Sequence, residues 1–304
     1  MANIIAIIWD FDKTLIDGYM EDPILIDNGI DPKTFWAEVN ALPGQYEKEQ
    51  GIKVNPDTIY LNHMINYAAQ GKLKGLNNAK LREYGKSLKF YPGVPGIFKR
   101  TKELIESNKI YQEYDIKVEH YIVSTGLTEM IKGSPIMPYI DGVWGCEFIE
   151  VMDPNGEKRI GEVGYAIDNT TKTRALFEIN KGVGKIENVT ANTSIPEEKR
   201  RVHFINMAYV ADGPSDIPAF SIINARGGAT FAIYPPGDMK AMKQVETMRA
   251  TGRVQMFAEA DYSEGKTASM WLCNKIEEFA DRIREEEKTK IAKYTSAGEP
   301  HHLI

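Results

Sequence analysis

Residues 4–14 read IIAIIWDFDKT, so an uninterrupted apolar run passes directly into two acids and a hydroxyl residue. A run that is apolar on both alternating faces is typical of a strand buried between two layers, as in a parallel sheet. Asp10 and Asp12 then lie at its carboxyl end and, two residues apart, point to the same side. Ligands of open α/β sheets bind at this end of the strands, so the pair indicates chemistry. The alternative is a turn in which Asp12 and Thr14 cap a helix.

A second acidic cluster follows another largely apolar stretch. Residues 202–210 predict a strand, and Asp212 and Asp216 come directly after it. Two clusters this far apart in sequence can converge only if their strands are neighbours in one sheet. Converging carboxylates repel each other unless a cation lies between them, and Mg²⁺ is a hard cation that takes oxygen ligands. The alternative is an ordinary turn at Asp212, with Asp216 opening the next helix.

Two further segments carry groups that suit an anion. Residues 121–126, YIVSTG, predict a third strand that ends in Ser124, whose hydroxyl and following backbone N–H groups can donate to an anionic oxygen. A turn capping a helix near Leu127 is the alternative. Lys172 lies near the start of a predicted helix, where the helix dipole disfavours a cation. Lys172 is therefore a candidate functional residue, and an ordinary surface lysine is the alternative. Lys181, at the end of the same helix, is the competing candidate for the functional lysine.

Together these motifs resemble those of the haloacid dehalogenase-like (HAD) hydrolase superfamily. The residues that carry the resemblance occur in the order Asp10, Asp12, Thr14, Ser124, Lys172, Asp212 and Asp216. Residues 91–95, YPGVP, are similar to the stretch by which phosphoserine phosphatase-like members return to the core. The resemblance covers residues 1–17 and roughly 91–275. It implies an α/β fold, with a Rossmann-like, doubly wound, mostly parallel sheet and an inserted helical cap.

The resemblance also implies a role for each acid. Asp10 would be the nucleophile that forms an aspartyl-phosphate, and Asp12 would be the general acid and base. The Mg²⁺ ligands would be Asp10, Asp12 through its backbone carbonyl, and Asp212. Carbon–halogen hydrolysis, the other chemistry of the superfamily, lacks the second aspartate, so Asp12 favours phosphoryl transfer.

The remaining motif residues would bind phosphate or support the site. The resemblance implies that Ser124, Thr125 and Lys172 hold the phosphoryl oxygens. The supporting residues would be Thr14, Gly213 and Asp216, with Thr14 positioning the nucleophile loop and Asp216 orienting the metal shell or Lys172. These groups suit a phosphate ester, because a cation must offset the repulsion between the ester and a carboxylate nucleophile.

The rest of the chain predicts a two-part organisation. Residues 18–90 have helix starts at Asp31-Pro32, at Asn55-Pro56 and after Asn77, which predicts a helical cap. The predicted parts are a catalytic core of residues 1–17 and 91–290, the cap at 18–90 and a C-terminal tail at 291–304. Within the core, we expect a hairpin at 142–168 around DPNG, strands at 229–234 and 254–257, and an amphipathic helix at 266–290.

Composition limits the alternatives. The chain has 304 residues, a formal net charge of −6 and 42% hydrophobic residues, enough for a full core plus a small second domain. The acidic balance argues against nucleic acid as a partner. No apolar run approaches a membrane span and no signal peptide precedes the first strand, so we expect a cytoplasmic protein without membrane partners. Its two cysteines predict reduced thiols.

The sequence therefore predicts a Mg²⁺-dependent phosphatase that hydrolyses a phosphomonoester of a small phosphorylated metabolite. Two alternatives stay open. A phosphotransferase or phosphomutase would use the same aspartyl-phosphate but pass it to an acceptor other than water. A binding or regulatory protein on the same fold would retain the site without turnover.

Overall fold

The protein, described here by a computed structural model over residues 3–296, with side chains to residue 293, is built on one seven-stranded sheet. The strands are β1 Asn3–Trp9, β2 Ile116–Leu127, β3 Gly142–Met152, β4 Lys158–Tyr165, β5 Met207–Ala211, β6 Ala229–Tyr234 and β7 Met256–Glu259. Their order is β4-β3-β2-β1-β5-β6-β7, and all pairs are parallel except the β3–β4 hairpin. This confirms the predicted α/β class with a mostly parallel sheet.

Strand β1 lies at the centre of the sheet because its side chains are apolar on both faces. Ile5, Ile7 and Trp9 pack into one apolar cluster, and Ile4 and Ile8 pack into a second one on the opposite face. Helices α5 Gly96–Glu106 and α11 Thr267–Ser296 cover the first face, and α8 Thr171–Lys181, α9 Ile217–Ala225 and α10 Met239–Ala250 cover the second. Two short helices, α6 Lys109–Gln112 and α7 Thr128–Gly133, flank β2. The result is a sheet between two helical layers.

The segment between β1 and α5 folds into four helices. These are α1 Asp22–Asp27, α2 Pro32–Gln50, α3 Ile59–Ala69 and α4 Asn78–Gly85. The Asp31 carboxylate accepts a hydrogen bond from the Thr34 N–H at 3.0 Å and caps α2, as the Asp-Pro signal predicts. The Asn77 side chain caps α4 in the same way, accepting from the Lys80 N–H. The sequence did not predict α1.

Helix α4 packs this helical segment against α7 of the core, and each of the two helices contributes one glycine to the contact. A Cβ atom on Gly85 would lie 2.1 Å from the carbonyl oxygen of Met130 in α7, and one on Gly133 would lie 2.0 Å from the carbonyl oxygen of Arg82. Only residues without a side chain permit such an approach of two backbones. The Arg82 guanidinium also pairs with the Glu129 carboxylate across the junction. Segment 18–90 is therefore docked on the core by direct helix contact.

Several predicted boundaries differ from the structure. The predicted strand at 202–210 starts only at Met207, because residues 204–206 form a single 3₁₀ turn. Strand β7 begins two residues later than predicted. Helix α11 continues to Ser296, so the prediction of a tail from residue 291 is wrong for 291–296, while 297–304 lie outside the described residues.

Even α11, at 30 residues, is amphipathic and strongly charged. Over residues 3–296, no helix combines the length and apolar character that a membrane crossing requires.

Candidate active site

The acids of the two predicted clusters meet at the carboxyl edge of the sheet. Strands β1 and β5 are hydrogen-bonded neighbours, and the Asp10 N–H donates to the Val210 carbonyl at 2.9 Å. Carboxylate oxygens of Asp10, Asp212 and Asp216 all lie within 4.8 Å of one another. Three converging carboxylates form a set of oxygen donors that fits a hard divalent cation. The structure thus brings together acids that are about 200 residues apart in sequence.

Lys172 supplies the only protein cation observed to pair with these acids within residues 3–293. Its ammonium donates to Asp10 Oδ1 at 2.7 Å and to Asp216 Oδ1 at 2.6 Å, and its side chain is 1% exposed. Burial alone would lower the pKa of the Lys172 ammonium, but the charges of the two carboxylates outweigh it and raise that pKa. The Lys181 ammonium instead donates to the backbone carbonyls of Ala191 and Thr193. The geometry therefore favours Lys172 over Lys181.

Neighbouring hydroxyl groups fix the orientation of the acids. The Thr14 hydroxyl donates to Asp10 Oδ2 at 3.2 Å, which places Thr14 against the predicted nucleophile. The Tyr209 hydroxyl donates to Asp216 Oδ1 at 2.6 Å, and the Ser215 hydroxyl donates to Asp216 Oδ2 at 3.0 Å. Asp216 is fully buried and saturated by these partners and Lys172. Its contacts with Lys172 are compatible with the predicted role of orienting that lysine.

Burial and mutual repulsion raise the pKa values of Asp10 and Asp212. Burial raises the pKa of Asp10 to about 6, although the Lys172 charge partly offsets this. Burial also raises the pKa of Asp212 to about 8, and the charges of Asp10 and Asp216 add to the effect. Asp212 receives no hydrogen bond from a side chain within the described part of the chain. A cation bound beside Asp212 would favour the ionised form of this carboxylate.

Asp12 lies apart from the three converging carboxylates. Its Oδ1 accepts a hydrogen bond from the Met20 N–H at 3.0 Å. Burial raises the pKa of Asp12 well above the ordinary aspartate value, and the nearby charges of Glu21 and Asp10 raise it further. An aspartic acid that keeps its proton near neutral pH can donate it to a leaving group.

A cavity of about 180 Å³ opens above these groups, between the sheet edge and helices α2 and α3. The predicted site residues that line it are Asp10, Asp12, Thr125, Lys172 and Asp212. Ser124, predicted to bind phosphate, is 1% exposed and lies behind the lining, where its hydroxyl accepts from the Gly126 N–H at 2.9 Å. Gly213 adjoins Asp212 in extended backbone and would tolerate a side chain. Thr14 and Asp216 also lie behind the wall.

The lining includes Gly126, which packs closely against the Met20 side chain. A Cβ atom there would lie 2.3 Å from the Met20 Cε and 3.2 Å from Asp12 Oδ2. The Thr125 carbonyl, in the same peptide unit, accepts from the Tyr60 hydroxyl of α3 at 2.7 Å and from the Cys146 thiol at 3.2 Å. Helix α3 is therefore tied directly to the backbone of the predicted phosphate loop.

Sequence reasoning missed most of the cavity wall. The wall residues not predicted are Lys13, Tyr19, Glu21, Trp36, Asn40, Asp57, Tyr60 and Ser215, with Val39, Pro56 and Gly126 between them. Lys13 was visible as the residue between Asp12 and Thr14, and its φ of 56° shows the tight loop there. Glu21 offered no such signal, because acids are common at helix starts.

Comparison with known proteins agrees with this fold. The chain matches no protein-family model. Its structure is similar to that of a HAD-family hydrolase from Salmonella enterica subsp. enterica serovar Typhi, with a TM-score of 0.50 and 14% identity, over 84% of this chain and 67% of that one. A structure of phosphoserine phosphatase with a phospho-aspartyl intermediate analogue aligns over 84% of this chain and 93% of that one, with a TM-score of 0.47 and 19% identity. The fold is that of HAD-like hydrolases, as the motifs indicated.

In sequence, the chain is 38% identical over 287 residues to an uncharacterized protein of Borreliella burgdorferi. The alignment covers 90% of this chain and 97% of that protein, so the chain belongs to the same family as that protein.

Proposed function

We propose that the protein is a Mg²⁺-dependent phosphatase that hydrolyses the phosphomonoester of a small metabolite through an aspartyl-phosphate on Asp10. The observation that carries the proposal is that two aspartates in one cavity have different surroundings. Asp10 is held by Lys172 beside the other converging acids, whereas Asp12 stands apart with a raised pKa. One carboxylate is thus placed as a nucleophile and the other as an acid.

The reaction follows from these positions. One oxygen of Asp10 attacks phosphorus, the bond to the alcohol oxygen breaks, and Asp12 gives its proton to that oxygen. Asp12, now a carboxylate, takes a proton from water while the water oxygen attacks phosphorus and Asp10 is released. Lys172 and the backbone at Thr125 and Gly126 are the candidates to hold the phosphoryl oxygens. The cycle returns both carboxylates to their starting states.

Asp10 and Asp212, with the backbone carbonyl of Asp12, are the candidate ligands for Mg²⁺. When bound, the ion supplies positive charge that offsets the repulsion between the ester and the carboxylates. The cavity volume of about 180 Å³ suits a small substrate. The cap, docked over the sheet edge at 18–90, is proposed to exclude water and select the leaving group.

The test is release of inorganic phosphate from p-nitrophenyl phosphate with Mg²⁺ and with excess chelator. We expect turnover that requires the metal and disappears in Asp10→Asn, with the fold of that variant confirmed by circular dichroism. Asp153→Asn, at the exposed hairpin turn, is the matched control. Product analysis with added alcohols separates hydrolysis from transfer. Absence of turnover at high enzyme concentration with Mg²⁺ bound would refute the proposal.

A further inference from the structure

The cap contributes one buried acid to the cavity that the proposed chemistry does not use. Glu21 is 2% exposed and lines the cavity, and its carboxylate is hydrogen-bonded to no other side chain within residues 3–293. Burial raises the pKa of Glu21 to about 7. A buried carboxylate without a cationic partner is costly, so a positive charge in the cavity would stabilise the ionised form of Glu21.

Aromatic rings line the same cavity as this acid. The rings of Trp36 and Tyr60 have centroids 5.8 Å apart at an interplanar angle of 46°, and those of Trp36 and Tyr19 are 4.9 Å apart at 39°. The Lys13 ammonium already lies 4.0 Å from the Tyr19 ring centroid. Trp36 and Tyr60 also line the cavity, and over the described residues no cation lies over either ring. Aromatic faces next to a carboxylate attract an alkylammonium group, through the ring quadrupole as well as through charge.

The charged side chains of the cavity wall also favour a cationic ligand. Five acidic side chains line the cavity, but only two ammonium groups do. Lys172 is bound by Asp10 and Asp216, and Lys13 donates to the Tyr19 hydroxyl at 2.7 Å. Over the described chain, no arginine lines the cavity. The acids of the wall therefore outnumber its cations, so a second anionic group on the leaving alcohol would meet mainly like charge.

We propose that the leaving group is an amino alcohol that carries no carboxylate. Its alkylammonium group would lie between Glu21 and the rings of Trp36 and Tyr60. This inference rests on the proposed function and assigns the substrate class of the same cavity. It excludes phosphorylated amino acids, whose carboxylate the wall would repel, and it disfavours neutral sugar phosphates, which leave Glu21 unpaired. Primary and methylated ammonium groups both carry the positive charge that this site requires.

Kinetics with matched pairs of substrates test the charge alone. Phosphocholine is compared with 3,3-dimethylbutyl phosphate, and O-phosphoethanolamine with propyl phosphate, because each pair differs in charge far more than in shape. We expect kcat/KM to be about tenfold or more higher for the charged member of at least one pair. The pair with the larger ratio identifies a methylated or a primary ammonium. O-phosphoserine should be a poorer substrate than O-phosphoethanolamine.

Variants assign this preference to the named residues. Glu21→Gln keeps the shape of the side chain and should reduce the charged-to-neutral kcat/KM ratio to near one, because the ratio cancels any general loss of activity. Trp36→Leu should lower the ratio for phosphocholine about tenfold. Glu47→Gln, on the exposed face of α2, should leave the ratio unchanged. Thermal unfolding checks that each variant is folded.

A binding measurement separates this inference from the proposed function. Choline, but not 3,3-dimethylbutan-1-ol, should raise the unfolding temperature by about 3 °C at a tenfold excess over its Kd, and Glu21→Gln should abolish the shift. If no phosphomonoester is hydrolysed but this Glu21-dependent shift occurs, the proposed function fails and the ammonium site stands. Equal kcat/KM within both substrate pairs, or a preference for O-phosphoserine, would overturn the ammonium site even with full phosphatase activity.

Discussion

Asp12 illustrates how the surroundings of one residue decide its chemistry. It lies two residues from Asp10 on the same side of the chain, yet only Asp10 contacts Lys172. Burial together with the charge of Glu21 raises the pKa of Asp12. The same residue type thus has two different environments, because Asp10 has a cationic partner and Asp12 faces acids.

This difference predicts an effect that depends on the leaving group. Asp12→Asn should lower hydrolysis of alkyl phosphates about 10²–10⁴-fold, because an alkoxide leaves poorly without a proton. Phosphorylation of the enzyme by p-nitrophenyl phosphate should fall much less, since nitrophenolate needs no proton. A stopped-flow burst of nitrophenolate followed by slow turnover is the expected signature. An equal loss of the phosphorylation rate for both substrate types would contradict the role of Asp12 as the acid.

Lys172 allows a second test at the level of one residue. Lys172→Met should leave Asp10 and Asp216 buried without a counter-charge, so the free energy of unfolding should fall by about 3 kcal/mol or more, with loss of turnover. Urea unfolding measures the first effect and phosphate release measures the second. Lys181→Met is the matched control, and it should remove only the hydrogen bonds to Ala191 and Thr193. Loss of turnover in Lys181→Met, with activity retained in Lys172→Met, would reverse the assignment.

At the scale of elements, the sequence predicts what local patterns and chain order determine. Strand β1 was predicted because its apolar run is continuous, and α2 because Asp31-Pro32 is a strong helix start. The predicted start of β5 at residue 202 was wrong, because the 3₁₀ turn before the strand is also largely apolar. The placement of Trp36 and Tyr60 on the cavity could not be predicted, since it depends on how the cap helices dock on the core rather than on their own spacing.

The docking of α4 against α7 makes a specific prediction. Gly85→Ala should push the two helices apart and cost about 1–3 kcal/mol in the free energy of unfolding, because its methyl group would overlap the Met130 carbonyl. Gly44→Ala, in the middle of α2 with no atom within 4 Å of the added methyl, should instead stabilise the protein by up to about 1 kcal/mol. Urea titration of both variants measures the difference. Similar free energies for the two would show that α4 does not dock this closely.

At the scale of the whole molecule, the site depends on a sheet whose central strands are tied together by buried polar groups. The Trp9 indole N–H donates to His120 Nδ1 at 3.1 Å, joining β1 to β2. The opposite ring nitrogen, Nε2, lies 3.0 Å from the Thr101 hydroxyl of α5. With Nδ1 as an acceptor, Nε2 carries the proton, so this network requires a neutral imidazole. Burial lowers the pKa of His120 to about 3, and the Lys102 charge contributes.

This neutral histidine links the stability of the whole fold to pH. His120 takes up a proton below its ordinary pKa of 6.5 in the unfolded chain but only near 3 in the folded one, so its contribution to stability is present above 6.5 and is lost as pH falls towards 3. The loss should approach about 1.4 kcal/mol per pH unit within that window. Urea unfolding between pH 7 and pH 4.5 measures this loss of stability. The site carboxylates are present in the wild type and in both variants, so their contribution cancels in the comparison. His120→Gln, which cannot take up this proton, should show a smaller loss than the wild type, whereas His203→Gln should match the wild type. Parallel pH profiles for His120→Gln and the wild type would show that His120 does not couple the sheet to pH.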